Sequence, residues 1–138
     1  MRKKNNQGMT IIEILLAFAI ILVGVFSVIT IFPYSLSASK NSVNKTIAIN
    51  LAQARMEEMI SSSYNTLTAG QTVENSLDSI HEDFTAFSRE TNVTYVDEDL
   101  ADSVTDLGLK KINVNVYWYD LLDKSTSTVS LYTLIANF

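Results

Sequence analysis

Nineteen consecutive residues, Ile14 to Phe32, carry no charge, and a single acid, Glu13, stands at their mouth. As a helix the run is about 28 Å long, enough to cross most of a bilayer's hydrocarbon core. The rest of the fold must therefore be arranged around a membrane-length apolar segment. Glu13 needs a reason of its own. An ionised carboxylate in or near hydrocarbon costs about 2.5 to 3.5 kcal/mol on insertion scales, so such residues are usually paired and functional.

Upstream, Arg2, Lys3 and Lys4 are followed by Asn5, Asn6, Gln7 and Gly8, then by Met9, Thr10, Ile11 and Ile12 leading into Glu13. This segment resembles the class III signal of type IV prepilins: a short basic leader ending in Gly, an apolar residue, Thr, two aliphatics, and Glu at a fixed offset. Met9 departs from the usual Phe and Ile11 from the usual Leu, but both stay apolar. The resemblance implies that prepilin peptidase cuts after Gly8 and that the new amino group of Met9 is methylated. It also implies that Glu13 pairs with the N-terminal amine of a neighbouring subunit. That amine lies at the same depth as Glu13. It is also only four residues before Glu13, too close on an extended helix to fold back, so the pairing is expected between subunits. An ordinary signal anchor with an accidental Glu would share the apolar run. A secretory signal cut near Ser35-Leu36-Ser37 would share it too, but the length of the run and the acid at its start stand against that.

Setting aside the leader and the apolar run leaves about 105 residues, room for one small domain. The basic leader is expected to stay in the cytoplasm and the remainder to be exported. Leader removal takes three of the ten Lys and Arg and none of the fifteen Asp and Glu, moving the net charge from −5 to −8. An exported part this acidic argues against a broad electrostatic grip on nucleic acid or anionic lipid. The sequence has no Cys, which removes disulfides and thiol chemistry from consideration.

Pro33 closes the apolar run, and lacking an N–H it should end, kink or restart the helix there. From Ser35 to about Ser62 the chain has no Gly or Pro and favours helix formers. At helical spacing Leu36, Val43, Ile47, Leu51 and Ala54 form one apolar stripe. Ile49, Ala52, Met56, Met59 and Ile60 form a second, roughly opposite. Asn50, Gln53 and Glu57 separate them on one side, Asn44 and Arg55 on the other. Two stripes suggest two partners, the protein's own sheet and, for the stripe with Met56 and Met59, neighbouring helices of an assembly; the plainer alternative is a helix sunk in its own domain.

Ser61 to Asp83 reads as a polar connection whose clearest turn signal is Ala69-Gly70-Gln71. Beyond it the period changes to two. A strand is expected within Phe84 to Val96, and Lys110 to Asp120 is the clearest case, with Ile112, Val114, Val116 and Trp118 opposed to Asn113, Asn115, Tyr117 and Tyr119. Ser127 to Ala136 follows, with Val129, Leu131 and Ile135 on one face, joined through a hairpin at Asp120 to Thr126. So small a sheet is marginal alone, and the helix must supply half of its core.

The remaining candidates for chemistry are weaker. Asp97, Glu98, Asp99, Asp102 and Asp106 form an acidic stretch that could gather oxygen ligands for Ca²⁺, though without the spacing and glycine of an EF-hand loop. His81 is the only histidine, which speaks against zinc, and nothing sets it beside a nucleophile. Tyr117, Trp118 and Tyr119 could form an aromatic face, but alternation places Trp118 in the core. Asn44-Lys45-Thr46 and Asn92-Val93-Thr94 match the glycosylation sequon, a common chance triplet.

The expected fold is α+β and pilin-like, a long N-terminal helix packed on a small C-terminal antiparallel sheet. Its expected parts are a leader at 1–8, a membrane half of the helix at 9–33, an amphipathic half at 34–62, and an exported connection and sheet at 63–138. The segment Leu51-Ala52-Gln53-Ala54-Arg55-Met56-Glu57 and the strand Val114-Asn115-Val116-Tyr117-Trp118 are similar to minor subunits, the pilus modification protein V and the minor pseudopilin I of type II secretion. The resemblance implies a structural subunit rather than an enzyme, with no cofactor, held in the cytoplasmic membrane with its C-terminal domain outside, then passed to a filament. Its implied partners are prepilin peptidase, other pilin or pseudopilin subunits, the inner-membrane assembly platform and membrane lipid. Nucleic acid is not expected. The alternatives are a DNA-capturing subunit of a competence-type pilus and a plain membrane-anchored extracytoplasmic domain.

Overall fold

A computed structural model describes residues 9–77, 80, 84–120 and 124–137. One helix, α1, spans Ile11–Ser61, and the chain divides into two compact units, 1–38 and 39–138. Each unit has its own logic.

In the first unit every described side chain from Met9 to Leu36 is exposed. The helix is apolar on all sides here; its most hydrophobic 18-residue window has a mean hydropathy of 3.0 and none of it is buried by the protein. A helix of that kind wants lipid or other helices around it. The two hydroxyls inside the apolar run are satisfied internally: the Ser27 hydroxyl donates to the Val23 carbonyl at 2.7 Å and the Thr30 hydroxyl to the Ser27 carbonyl at 2.9 Å. That is the condition for placing hydroxyls in hydrocarbon. Of the outcomes expected at Pro33, an end and a restart do not occur, since α1 runs through it. One missing ladder N–H is tolerated in so long a helix.

The second unit holds the sheet. Its strands are β1 (Gly70–Glu74), β2 (Phe87–Val96), β3 (Asp102–Ser103), β4 (Leu109–Asp120) and β5 (Ser125–Ala136), all pairing antiparallel in the order β1-β2-β4-β5. β3 adds two residues to β2 beyond β1. The expected hairpin is present: Asp120 faces Ser125 and the register runs unbroken to Leu109 facing Ala136. The segment taken as an unassigned connection contains a 3-10 turn at Tyr64–Thr66 and the edge strand β1, whose short polar sequence carries no apolar alternation.

The inner face of β4 is the one expected, with Ile112, Val114 and Val116 at 0 % exposure and Trp118 at 5 %. Phe87 and Val93 from β2 lie beside them in register, and Val129, Leu131 and Ile135 pack against the margin. α1 closes this core with Ala48, Leu51, Ala52 and Met56. Here the two-stripe expectation fails. The helix buries one face, which joins Ala48 to Leu51 of one stripe and Ala52 and Met56 of the other, with Asn41, Asn44, Ile47, Arg55 and Met59 half-buried around it. Met56, assigned to an outward stripe, is in the core, while Val43, Ala54 and Ile60 are exposed. Asn44 and Arg55, taken as polar separators, are half-buried on this side, where the Arg55 Nε–H donates to the Thr91 hydroxyl of β2 at 3.4 Å.

Candidate functional site

Thr10 immediately precedes α1, and Glu13 is the acid of its first turn. The Glu13 N–H lies 3.1 Å from the Thr10 carbonyl and 3.4 Å from the Thr10 hydroxyl oxygen, and the Ile14 N–H donates to the same carbonyl at 3.2 Å. Thr10 is thus an N-cap and Glu13 stands at N3, the spacing of a capping box. A carboxylate there is favoured by the positive end of the helix. Met9 is exposed beside it, and the apolar surface of α1 begins one residue beyond Thr10. Gly8, the rest of the leader and His81 lie outside the described residues.

The acidic stretch is not gathered into one site. The Asp97 carboxylate accepts the N–H groups of Asp99 and Ala101 at 3.0 and 2.9 Å, folding its own loop. Asp102 pairs with Lys111 at 2.5 Å. Asp106 accepts the Tyr64 hydroxyl, receives the Gly108 N–H at 2.9 Å and lies 3.4 Å from the Lys110 ammonium. Among the described residues no three of His, Asp or Glu are placed to hold a metal ion. Partial burial and the bond to Asp106 push the Tyr64 phenol up to about 12, and the same bond holds the Asp106 carboxyl low. Tyr119 is exposed and the Tyr117 hydroxyl donates to Glu90 at 3.1 Å on the outer face, while Trp118 is in the core, so the aromatic triplet is divided between the sheet's two faces. Asn44 is half-buried on α1 and Asn92 half-buried in β2.

Residues not singled out from the sequence tie the helix to the sheet. Asn41 donates to Asp120 at 2.6 Å and accepts the Trp118 indole N–H at 3.0 Å. Arg89, buried, grips Glu74 with Nε and Nη2 at 2.7 and 3.0 Å and reaches the Leu51 carbonyl of α1 at 3.3 Å. Lys110, equally buried, donates to the Tyr64 and Leu67 carbonyls at 2.9 and 2.7 Å and sits 3.8 Å from the centre of the Tyr64 ring. Strand parity was the available signal: Lys110 and Asp120 share the even register of Ile112 to Trp118 and therefore face inward.

These contacts organise a small domain. The exposed chemistry lies at the start of α1. Residues 3–29 match the family described as the prokaryotic N-terminal methylation motif. No curated protein and no solved structure matches the chain. Met9, Thr10 and Glu13 lie within that match, so the segment leading into the membrane-length helix is similar to a type IV prepilin signal.

Proposed function

We propose that this protein is a minor pilin or pseudopilin, a structural subunit of a type IV pilus or of a type II secretion-like filament. The observation that carries this is the methylation motif at 3–29 running directly into a helix with its apolar surface exposed on every side. Cleavage after Gly8 by prepilin peptidase frees Met9, whose amino group is then methylated. The subunit waits in the cytoplasmic membrane with residues 39–138 outside, and leaves it for the filament through contacts with other subunits and the assembly platform.

The mechanism is association rather than turnover. Apolar packing of neighbouring α1 helices supplies most of the attraction, because each presents a membrane-length surface with no partner in its own chain. Glu13 sets the axial register by pairing with the Met9 amine of a neighbour. In low dielectric a misaligned subunit leaves both charges unpaired, a cost of several kcal/mol. Mass spectrometry of the mature N-terminus is the direct test. A methylated N-terminal Met9 is the expected species; a retained leader, or a start near Ala38, overturns the assignment.

A further inference from the structure

Where the last turns of α1 meet β1 and β2, residues 39–138 enclose a cavity of about 420 Å³. That is within the size of small-ligand sites, which are ordinarily lined by apolar and aromatic side chains. This lining is of another kind. Among the described residues around it none is aromatic, and five carry hydroxyls. The hydrogen bonds already made decide what these groups still offer. The Ser62 hydroxyl donates to the Glu58 carbonyl at 2.9 Å and the Thr66 hydroxyl to the Ser63 carbonyl at 2.7 Å, so both have spent their proton and retain only acceptor lone pairs. Thr91, 2 % exposed, accepts the Arg55 Nε–H at 3.4 Å, the long end of a hydrogen bond, and has no second partner among the described residues. The Arg55 guanidinium also lies 2.7 Å from the Glu58 carboxylate, which sets charged donors and charged acceptors side by side at the mouth. Met59 and Val93 supply the apolar part of the lining.

We propose that this cavity binds a short neutral saccharide. Its ligand must both donate and accept within a few ångströms. A phosphate or carboxylate only accepts, and would meet the Glu58 charge and the Ser62 and Thr66 lone pairs. Adjacent hydroxyls of one sugar ring do both: they accept from Arg55 and donate to Glu58, as charge-assisted hydrogen bonds. The C–H face of the ring suits Met59 and Val93. A peptide backbone spreads its donors and acceptors along an extended line, a poorer match to groups 2.7 Å apart. The net negative charge left after leader removal also favours a neutral saccharide over an acidic one. The site lies within residues 39–138 and does not rest on processing at Gly8 or on assembly.

The test presents the full-length protein, in a detergent without sugar headgroups, to an array of neutral oligosaccharides, acidic oligosaccharides and short peptides. Neutral saccharides should bind. The Glu58 side chain is exposed, so Glu58→Ala should unfold with the parent's denaturant midpoint, read from Trp118 fluorescence, and bind saccharide about tenfold more weakly, the loss of one hydrogen bond to a charged group. Arg55→Met keeps the apolar stem, removes the donors and should weaken binding at least as much. Glu57→Ala, the adjacent acid of α1 outside the cavity, should bind as the parent does. Binding of no neutral saccharide, a preference for acidic oligosaccharides or peptides, or an affinity unaltered by both Glu58→Ala and Arg55→Met overturns the proposal.

Discussion

The backbone N–H of Glu13 faces the hydroxyl oxygen of Thr10 at 3.4 Å, which makes the two residues N-cap and N3 of α1. Glutamine serves at N3 of a capping box as well as glutamate does. Glu13→Gln therefore removes the charge while leaving the helix start intact. Cleavage and membrane insertion of this variant should proceed, while its share in filaments falls sharply. Immunoblots of membrane and sheared-filament fractions, with the N-terminus checked by mass spectrometry, measure both. Normal incorporation would sink the register role.

Thr10 carries the complementary experiment. Thr10→Val keeps the shape and loses the acceptor, which should destabilise the first turn by about 1 kcal/mol, whereas Thr10→Ser should retain it. Amide hydrogen exchange at Glu13 and Ile14 in micelles reads the difference, and equal protection in all three proteins would show that the cap contributes nothing.

The Asn41 side chain joins α1 to both Trp118 and Asp120. Asn41→Leu takes one donor from the buried Asp120 carboxylate, which keeps the Ser127 hydroxyl at 3.3 Å, and removes the acceptor of the buried Trp118 indole N–H. Loss of these two bonds should lower stability by about 2 kcal/mol. The protein has one Trp, so the intrinsic fluorescence of Trp118 follows the denaturant transition without labels. Asn41→Asp should be at least as damaging at neutral pH, because it places a carboxylate against Asp120 in place of a donor. An unchanged midpoint for either variant would remove Asn41 from the helix-to-sheet fastening.

What was legible before the structure follows from how strongly each segment repeats. β4 alternates over its twelve residues and β5 over ten of its twelve, so their faces and their hairpin could be read directly. β1 is five residues with one apolar side chain, too short and polar to alternate, and it exists because β2 offers it a paired edge. The helix face was misjudged for a related reason. Apolar spacing was weighed alone, while the buried side of α1 is chosen by close-packing Ala48 and Ala52 and by partners for Asn41 and Arg55, the latter 3.4 Å from Thr91. The N-terminal signal, by contrast, is local: its residues act through spacing along the chain, so it needed no tertiary context to be recognised.

One acid-sensitive fastening joins Glu74 to Arg89. The Arg89 guanidinium, bonded through two nitrogens, holds the Glu74 carboxyl below its usual range. A carboxyl whose folded value is depressed contributes its full stabilisation above the unfolded value of about 4.3, and loses it as pH falls through the folded value. Stability should therefore hold from neutral pH down to about pH 5 and decline below it. Glu74→Gln should cost about 2 kcal/mol at pH 7, since a charged hydrogen bond is removed from the buried Arg89, and should cost progressively less as the medium is acidified. Asp106, held low by Tyr64 and Gly108, has the same sign and keeps some acid sensitivity in that variant. Denaturant midpoints of the two proteins from pH 7 to pH 3 should converge toward the acid end; curves that stay parallel would exclude ionised Glu74 as a source of stability.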